Sequence, residues 1–316
     1  MTLIISNASR YFVLQISDRL VTKSNITFDE FANKSIVFSG LNGILAISYT
    51  GLAFIGETPT DQWLSEKLIG ETFPNERILP ALGFGKTKFV HIGPALNTLK
   101  KSLSEDAISA IKPELRQYWI DSPFYLSIAG WLWGSKGFRP IIGWLEKPSR
   151  KNDFKLEFNP RHSIYGNKFA ISILPTSKKN QETMHNLINL LCKRNINETE
   201  KIIIGVMQEI SKSDPSVGAD YISILIPPPS LAQNHPLLVK YISKSGAGSE
   251  LLKTSEQEII KVTFTPWLIG PKIFCAPSIL SGEGISMGLG LYKVKFNSPK
   301  DKRIALLVNS LARPKI

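Results

Sequence analysis

The sequence has few of the residues from which metal, redox and disulfide sites are built. It holds two cysteines and four histidines among 316 residues. Cys192 and Cys275 lie far apart in apolar surroundings, and neither belongs to a Cys-x-x-Cys pair. That usage suits a reduced, cytoplasmic protein with two structural thiols. His91, His162, His185 and His235 are unclustered, which argues against both a zinc site and a Ser-His-Asp arrangement. No stretch reaches the roughly 18 uninterrupted apolar residues that a membrane helix requires. The N-terminus lacks the basic and apolar regions of a secretory signal. The residues imply no metal and no organic cofactor.

Acidic residues are also scarce, 26 against 38 basic ones, for a net charge of +12. A basic chain invites a nucleic-acid hypothesis. The lysines are dispersed, however, as at Lys100, Lys101, Lys178, Lys179, Lys272, Lys300 and Lys302. No run interleaves positive charge with aromatic residues, so a solvated surface explains them better than a nucleic-acid site. Phosphate and dinucleotide loops fail on spacing. Gly85-Lys86-Thr87 has Pro80 where a phosphate loop needs glycine, and the glycines from Gly282 to Gly290 are wrongly spaced for a dinucleotide fingerprint.

What is present is ordinary globular material, with 43% apolar and 20% charged residues. Runs at 2–7 and 11–17 read as strands joined by a turn at Asn7-Ala8-Ser9-Arg10. A second pair is expected at 34–39 and 43–49. Thr60-Asp61 reads as the cap of a helix to about Leu68. Helices are expected from Pro94 to Leu103 and from Glu105 to Tyr118, the latter interrupted at Pro113. Strands follow at 124–133, 138–145, 153–158 and 168–174. Helices are then expected near 180–193 and 198–211, with Asn197 capping the second. A strand at 219–226 ends in three prolines, which cannot continue a ladder.

This order, strands then helices then strands then helices, is not the alternation of a doubly wound sheet. It predicts an α+β fold of two antiparallel sheets with helices on the outer faces. The prolines suggest a boundary, with one domain over 1–226. Residues 227–316 then form a β-rich extension, with strands near 236–243, 258–264, 289–297 and 303–308. Trp131, Trp133 and Trp144 read as core residues, and Trp267 as an anchor of the extension.

One spacing carries chemistry. Thr2 follows the initiator methionine, Asp18 stands sixteen residues on, and Lys34 sixteen beyond that. If Met1 is removed, Thr2 presents a hydroxyl and a free α-amine together. The surrounding segments are Ser17-Asp18-Arg19-Leu20-Val21-Thr22 and Asn33-Lys34-Ser35-Ile36. These resemble the start of a proteasome β-subunit, in the N-terminal-nucleophile (Ntn) hydrolase superfamily. Both sixteen-residue steps match that family without a gap. Leu20 stands where many active β-subunits carry arginine, and here the arginine is Arg19.

The resemblance implies a four-layer αββα sandwich over about residues 2–226. It implies Thr2 as nucleophile, Lys34 and Asp18 as its partners, and Thr22 as a residue lining the substrate strand. Ala46-Ile47-Ser48-Tyr49-Thr50-Gly51 resembles the turn whose amide forms the oxyanion hole, at Thr50 or Gly51. Asp214-Pro215-Ser216-Val217-Gly218 resembles the family's supporting Asp-x-x-Ser-Gly-Gly region, one residue short. Ser172 is the nearest counterpart of a further supporting serine. The implied substrate is a peptide or a small amide, and the family's rings imply a homo-oligomer.

A threonine hydroxyl needs a base within hydrogen-bond reach to act as nucleophile. A chain-terminal amine has an ordinary pKa of about 7.7–8.0 and is neutral near pH 7 at little cost. A lysine near 10.4 needs burial or charge to reach that state. Which nitrogen takes the proton belongs to the coupled pair. Two other readings stand beside the hydrolase. One is a silent proteasome-like scaffold that binds a partner, and the other is a basic nucleic-acid-binding module.

Overall fold

The computed structural model describes residues 2–70 apart from 24, 25, 30 and 31, and residues 90–158 apart from 136 and 149. It also describes 195–229 and shorter stretches at 82–83, 164–166, 169–174, 182–183 and 186–187. Beyond 229 it describes the strands at 237–242, 250–253, 259–264, 267–269, 274–275, 278–281, 287–289 and 292–295.

The chain opens with β1 (Ile4–Ser9) and β2 (Val13–Asp18), then β3 (Ser35–Gly40) and β4 (Gly43–Thr50). Three helices follow: α1 (Thr60–Ile69), α2 (Ile92–Ala110) and α3 (Pro113–Asp121). Next come β5 (Phe124–Gly134), β6 (Gly137–Lys147), β7 (Phe169–Leu174), α4 (Ile196–Ser213) and β8 (Tyr221–Ile226).

Among the described residues most strands form two eight-stranded sheets, beside a separate three-stranded sheet and two short two-stranded pairs. The first runs Ile164–Gly166, β7, β1, β2, β8, Leu237–Ile242, Tyr292–Lys295, Met287–Leu289. The second runs Lys155–Phe158, β6, β5, β4, β3, Trp267–Ile269, Phe274–Cys275, Leu82–Gly83. Pairing is antiparallel except between Leu237–Ile242 and Tyr292–Lys295, and between β3 and Trp267–Ile269. Segments beyond residue 227 thus add strands to both sheets.

Period-2 alternation divides each central strand between two buried layers. Ile36, Phe38, Leu45, Ile47, Leu126 and Ile128 face α1–α3 in one apolar core. Leu3, Ile5, Leu14, Ile16, Ile173 and Tyr221 join Ile203 and Met207 of α4 in another. The intervening residues, including Val13, Gln15, Ser17, Ser35, Val37, Ala46, Ser48, Ser127 and Ala129, are buried as well. They lie where one sheet faces the other, and they are small or polar.

Several sequence expectations shift by one or two residues for local reasons. The first turn lies at Ser9–Phe12 rather than 7–10. Ser9 Oγ accepts from the N–H groups of Tyr11 and Phe12, both at 3.2 Å. The expected interruption of the second helix is also displaced. α2 runs unbroken through Leu103 and Glu105, and the break falls at Ile111 and Lys112. Pro113 therefore opens α3, where its missing N–H costs nothing.

Thr60 does not cap α1; its hydroxyl donates to the Leu52 carbonyl at 2.8 Å. The cap of α4 is Asn195 rather than Asn197, accepting from Glu198 N–H at 3.0 Å. Trp131 and Trp144 are buried as expected, whereas Trp133 is partly exposed and donates to the Leu41 carbonyl at 2.9 Å. The expected strand at 303–308 and most of the expected helix at 180–193 lie outside the described residues.

Lys147 is fully buried, and its Nζ donates to the carbonyls of Ile120 at 3.2 Å and Ser122 at 2.5 Å. Burial pulls its pKa down to about 8, partly opposed by Asp121. An unfolded lysine near 10.4 then binds more protons than the folded one between about pH 8 and 10, so stability rises with pH across that window. Urea unfolding of wild type and Lys147→Met at pH 8 and 10 checks this. The wild type gains stability over that window relative to the variant.

Candidate active site

The ends of β1, β2, β3 and β4 converge. Thr2 precedes β1, Asp18 ends β2, Lys34 precedes β3, and Thr50 ends β4. All four side chains are buried. Lys34 Nζ donates to Thr2 Oγ1 at 2.8 Å and lies 3.5 Å from Asp18 Oδ2. It also donates to the Leu20 carbonyl. The Thr2 nitrogen donates to Thr50 Oγ1 at 3.2 Å. The contacts of Lys34 with Thr2 and Asp18 cross between the sheets, because Thr2 leads into β1 and Asp18 ends β2 of the first sheet, while Lys34 leads into β3 of the second.

Asp18 is held by three backbone donors. Leu3 N–H reaches Oδ1 at 2.8 Å, and Gly218 and Leu20 N–H reach Oδ2 at 3.0 and 3.3 Å. Burial raises its pKa, while Lys34 and the amides of Gly218 and Leu3 pull it back. A lysine ammonium and a carboxylate so placed satisfy one another where neither could be left alone at small cost.

The segment that leads through Lys34 into β3 is anchored separately. Asn33 Nδ2 donates to Asp61 Oδ2 of α1 at 2.7 Å, and Tyr49 N–H donates to the Lys34 carbonyl at 3.0 Å. These bonds hold the residues flanking Lys34 against both α1 and β4.

Gly51 follows Thr50 with φ +130, a conformation that strains other residues. A Cβ there would lie 2.7 Å from Phe124 Cδ2. The turn expected to supply an oxyanion donor is therefore glycine-dependent in its backbone and its packing. Thr50 turns its hydroxyl toward the Thr2 nitrogen.

Asp214 and Ser216 form a local turn, with Ser216 Oγ and N–H donating to Asp214 Oδ1 at 2.6 and 2.9 Å. The turn leads into Gly218, the residue that reaches Asp18. A Cβ on Gly218 would come within 2.8 Å of Leu20 Cβ, so glycine permits the approach. Thr22 is half-buried on a short hairpin, Val21–Lys23 against Ile26–Asp29, directly after Leu20. Ser172 faces the other sheet and accepts from Trp144 Nε1 at 2.8 Å.

The sequence reading missed the amides of Leu3 and Gly218 and the Leu20 carbonyl. Main-chain groups carry no residue signature, although Gly218 lies within the segment that drew attention for Asp214 and Ser216. Among the described residues, no group of three or more His, Cys, Asp or Glu side chains is placed to hold a metal ion. No described helix is long and apolar enough to cross a membrane. Cys192 lies outside the described residues.

No protein-family model matches this sequence, and no curated protein matches it. Similar solved structures include an Anbu (Gly-1) mutant from Hyphomicrobium sp. strain MC1, at 10% identity and TM-score 0.44, covering 72% of this chain and 82% of that one. Another is Anbu (ancestral beta-subunit) from Yersinia bercovieri, at 11% identity and TM-score 0.43, covering 71% of this chain and 81% of that one.

Proposed function

We propose that this chain is a proteasome-like Ntn hydrolase that cleaves a peptide or small-amide bond through Thr2 after removal of Met1. The proposed architecture is the four-layer αββα sandwich over 1–226, with 227–316 as its extension. The observation that carries the reading is the buried contact of Lys34 Nζ with Thr2 Oγ1 at 2.8 Å, beside Asp18. The protein is proposed to act in the cytoplasm, as a homo-oligomer, without metal or cofactor.

In the proposed reaction Thr2 Oγ1 attacks the carbonyl carbon, and its proton passes to the coupled amine–lysine pair. The freed α-amine of Thr2, beside Thr50 Oγ1, and Lys34 are the two nitrogens of that pair. Cationic Lys34 favours the neutral amine and the deprotonated hydroxyl, and Asp18 orients Lys34. An N–H of the Thr50–Gly51 turn stabilises the tetrahedral oxyanion. A donor of this kind is worth about 100- to 1,000-fold in rate. Collapse breaks the C–N bond, and the departing amine takes the proton. Water then attacks the threonine ester, assisted by the same base, and releases a carboxylic acid with Thr2 restored. Asp214 and Ser216 support the site through Gly218, and Thr22 lines the substrate strand.

Intact-mass analysis after treatment with a threonine-directed β-lactone tests the reading. The expected result is one adduct on wild type and none on Thr2→Ala. No wild-type adduct, or equal adducts on both, overturns it and leaves the scaffold reading.

A further inference from the structure

The interface between the two sheets contains a continuous polar chain. Ser17 Oγ bonds Ser35 Oγ at 2.9 Å, and Ser35 Oγ bonds Ser48 Oγ at 2.8 Å. Ser48 Oγ donates to Gln15 Oε1 at 2.7 Å. Gln15 Nε2 in turn donates to Ser6 Oγ at 3.0 Å and to the Ser127 carbonyl at 3.2 Å, and Ser6 Oγ bonds Ser127 Oγ at 2.9 Å. All six residues are buried.

The direction of the chain is determined. An amide oxygen turned toward the Ser127 carbonyl would repel it, so Gln15 presents Nε2 there and Oε1 to Ser48. Ser48 spends its only proton on Oε1. Ser35 must therefore donate to Ser48, and Ser17 to Ser35. No hydroxyl proton of these three is left over.

The bonds between Ser17 and Ser35 and between Ser48 and Gln15 join strands of different sheets, β2 to β3 and β4 to β2. Their neighbours across the interface, such as Val13, Val37, Ala46 and Ala129, are apolar. Apolar contact is non-directional and tolerates sliding, whereas hydrogen bonds fix position and angle. Ser17 directly precedes Asp18, and Ser35 directly follows Lys34. The separation of Asp18 from Lys34 is itself a distance between sheets.

We propose that this Ser17–Ser35–Ser48–Gln15 chain is a register pin that sets how the two halves of the site meet, with Ser17 and Ser35 as positioning residues. The pin rests on the hydrolase reading only for its effect on rate; its effect on geometry stands independently. It neither touches substrate nor exchanges protons with Thr2.

The double variant Ser17→Ala/Ser35→Ala tests it. Removing both partners orphans no group between them and is close to neutral for stability. Ser48 keeps its bond to Gln15. Three measurements are made on wild type and variant: the urea unfolding midpoint, β-lactone labelling of Thr2 resolved into KI and kinact, and the crystallographic Lys34–Asp18 separation. The expected result is a fold of similar stability, an unchanged KI, and kinact lower by about 10- to 100-fold, the scale of a misplacement near 1 Å. The Lys34–Asp18 separation is expected to exceed about 4 Å, the limit of an ion pair. Ser127→Ala, at the far end of the chain, is expected to change kinact less than about twofold, because it leaves both links beside the site intact. A double variant with the wild-type separation overturns the pin, whether or not wild type is labelled. A wild type that takes no label overturns the hydrolase reading alone. A low kinact at an unchanged separation also overturns the pin.

Discussion

Lys34→Ala is expected to lower the rate of β-lactone labelling at Thr2 by about 100- to 10,000-fold, the range of a lost acid–base group. The variant also loses stability, and the loss depends on pH. Lys34 is the cation beside buried Asp18, and removing one partner of such a pair costs about 3–5 kcal/mol. With Lys34 gone, Asp18 keeps its three amide donors but loses the charge that pulls its raised pKa down. Its folded pKa then rises further above the unfolded value. The folded state binds the extra proton, so stability falls as pH climbs from the unfolded pKa through the folded one. The deficit against wild type is therefore largest near neutral pH and shrinks toward acid. Urea unfolding of both proteins at pH 5 and pH 7.5 measures it. A deficit that is equal at both values contradicts the assignment of Asp18 as the orphaned charge.

Trp119→Ala is expected to cost about 3–5 kcal/mol, the range for deleting a buried aromatic. Trp119 is 1% exposed on α3, and its Nε1 donates to Asn152 Oδ1 at 2.8 Å. Its ring lies 5.4 Å from Phe124 and 6.0 Å from Phe154, and Lys147 Nζ lies 5.3 Å above it. Phe124 stacks on Tyr49 at 6.4 Å and abuts Gly51. The substitution removes the floor of the cluster and leaves a cavity that rigid strands close poorly. Equilibrium urea unfolding checks the magnitude. A loss below about 1 kcal/mol would mean that the surrounding rings collapse into the space.

Thr2, Asp18 and Lys34 stood out through two equal sixteen-residue steps that resemble those of proteasome β-subunits, and their side chains meet where strand ends converge. The strands were legible from their β-branched content. The polar interface between the sheets was not. A serine at every second position of a strand reads as the solvent face, and Ser35, Ser48 and Ser127 look no different from exposed serines until the second sheet lies over them. Gln15, too, looks no different in sequence from an exposed polar residue. The break before α3 was displaced because proline marks a helix start as readily as its end. Asn195 and Asn197 are equally good caps on paper, and the geometry of the first turn chose between them.

The strands contributed from beyond residue 227 have a consequence for association. Trp267–Ile269 lies along the free side of β3, and Leu237–Ile242 lies along the free side of β8. A bare strand edge is a template on which another polypeptide can add. In this protein those two templates are already filled by its own chain. A copy cannot pair with β3 or β8 directly, because among the described residues the sheet edges on those sides pass outward to Leu82–Gly83 and Met287–Leu289.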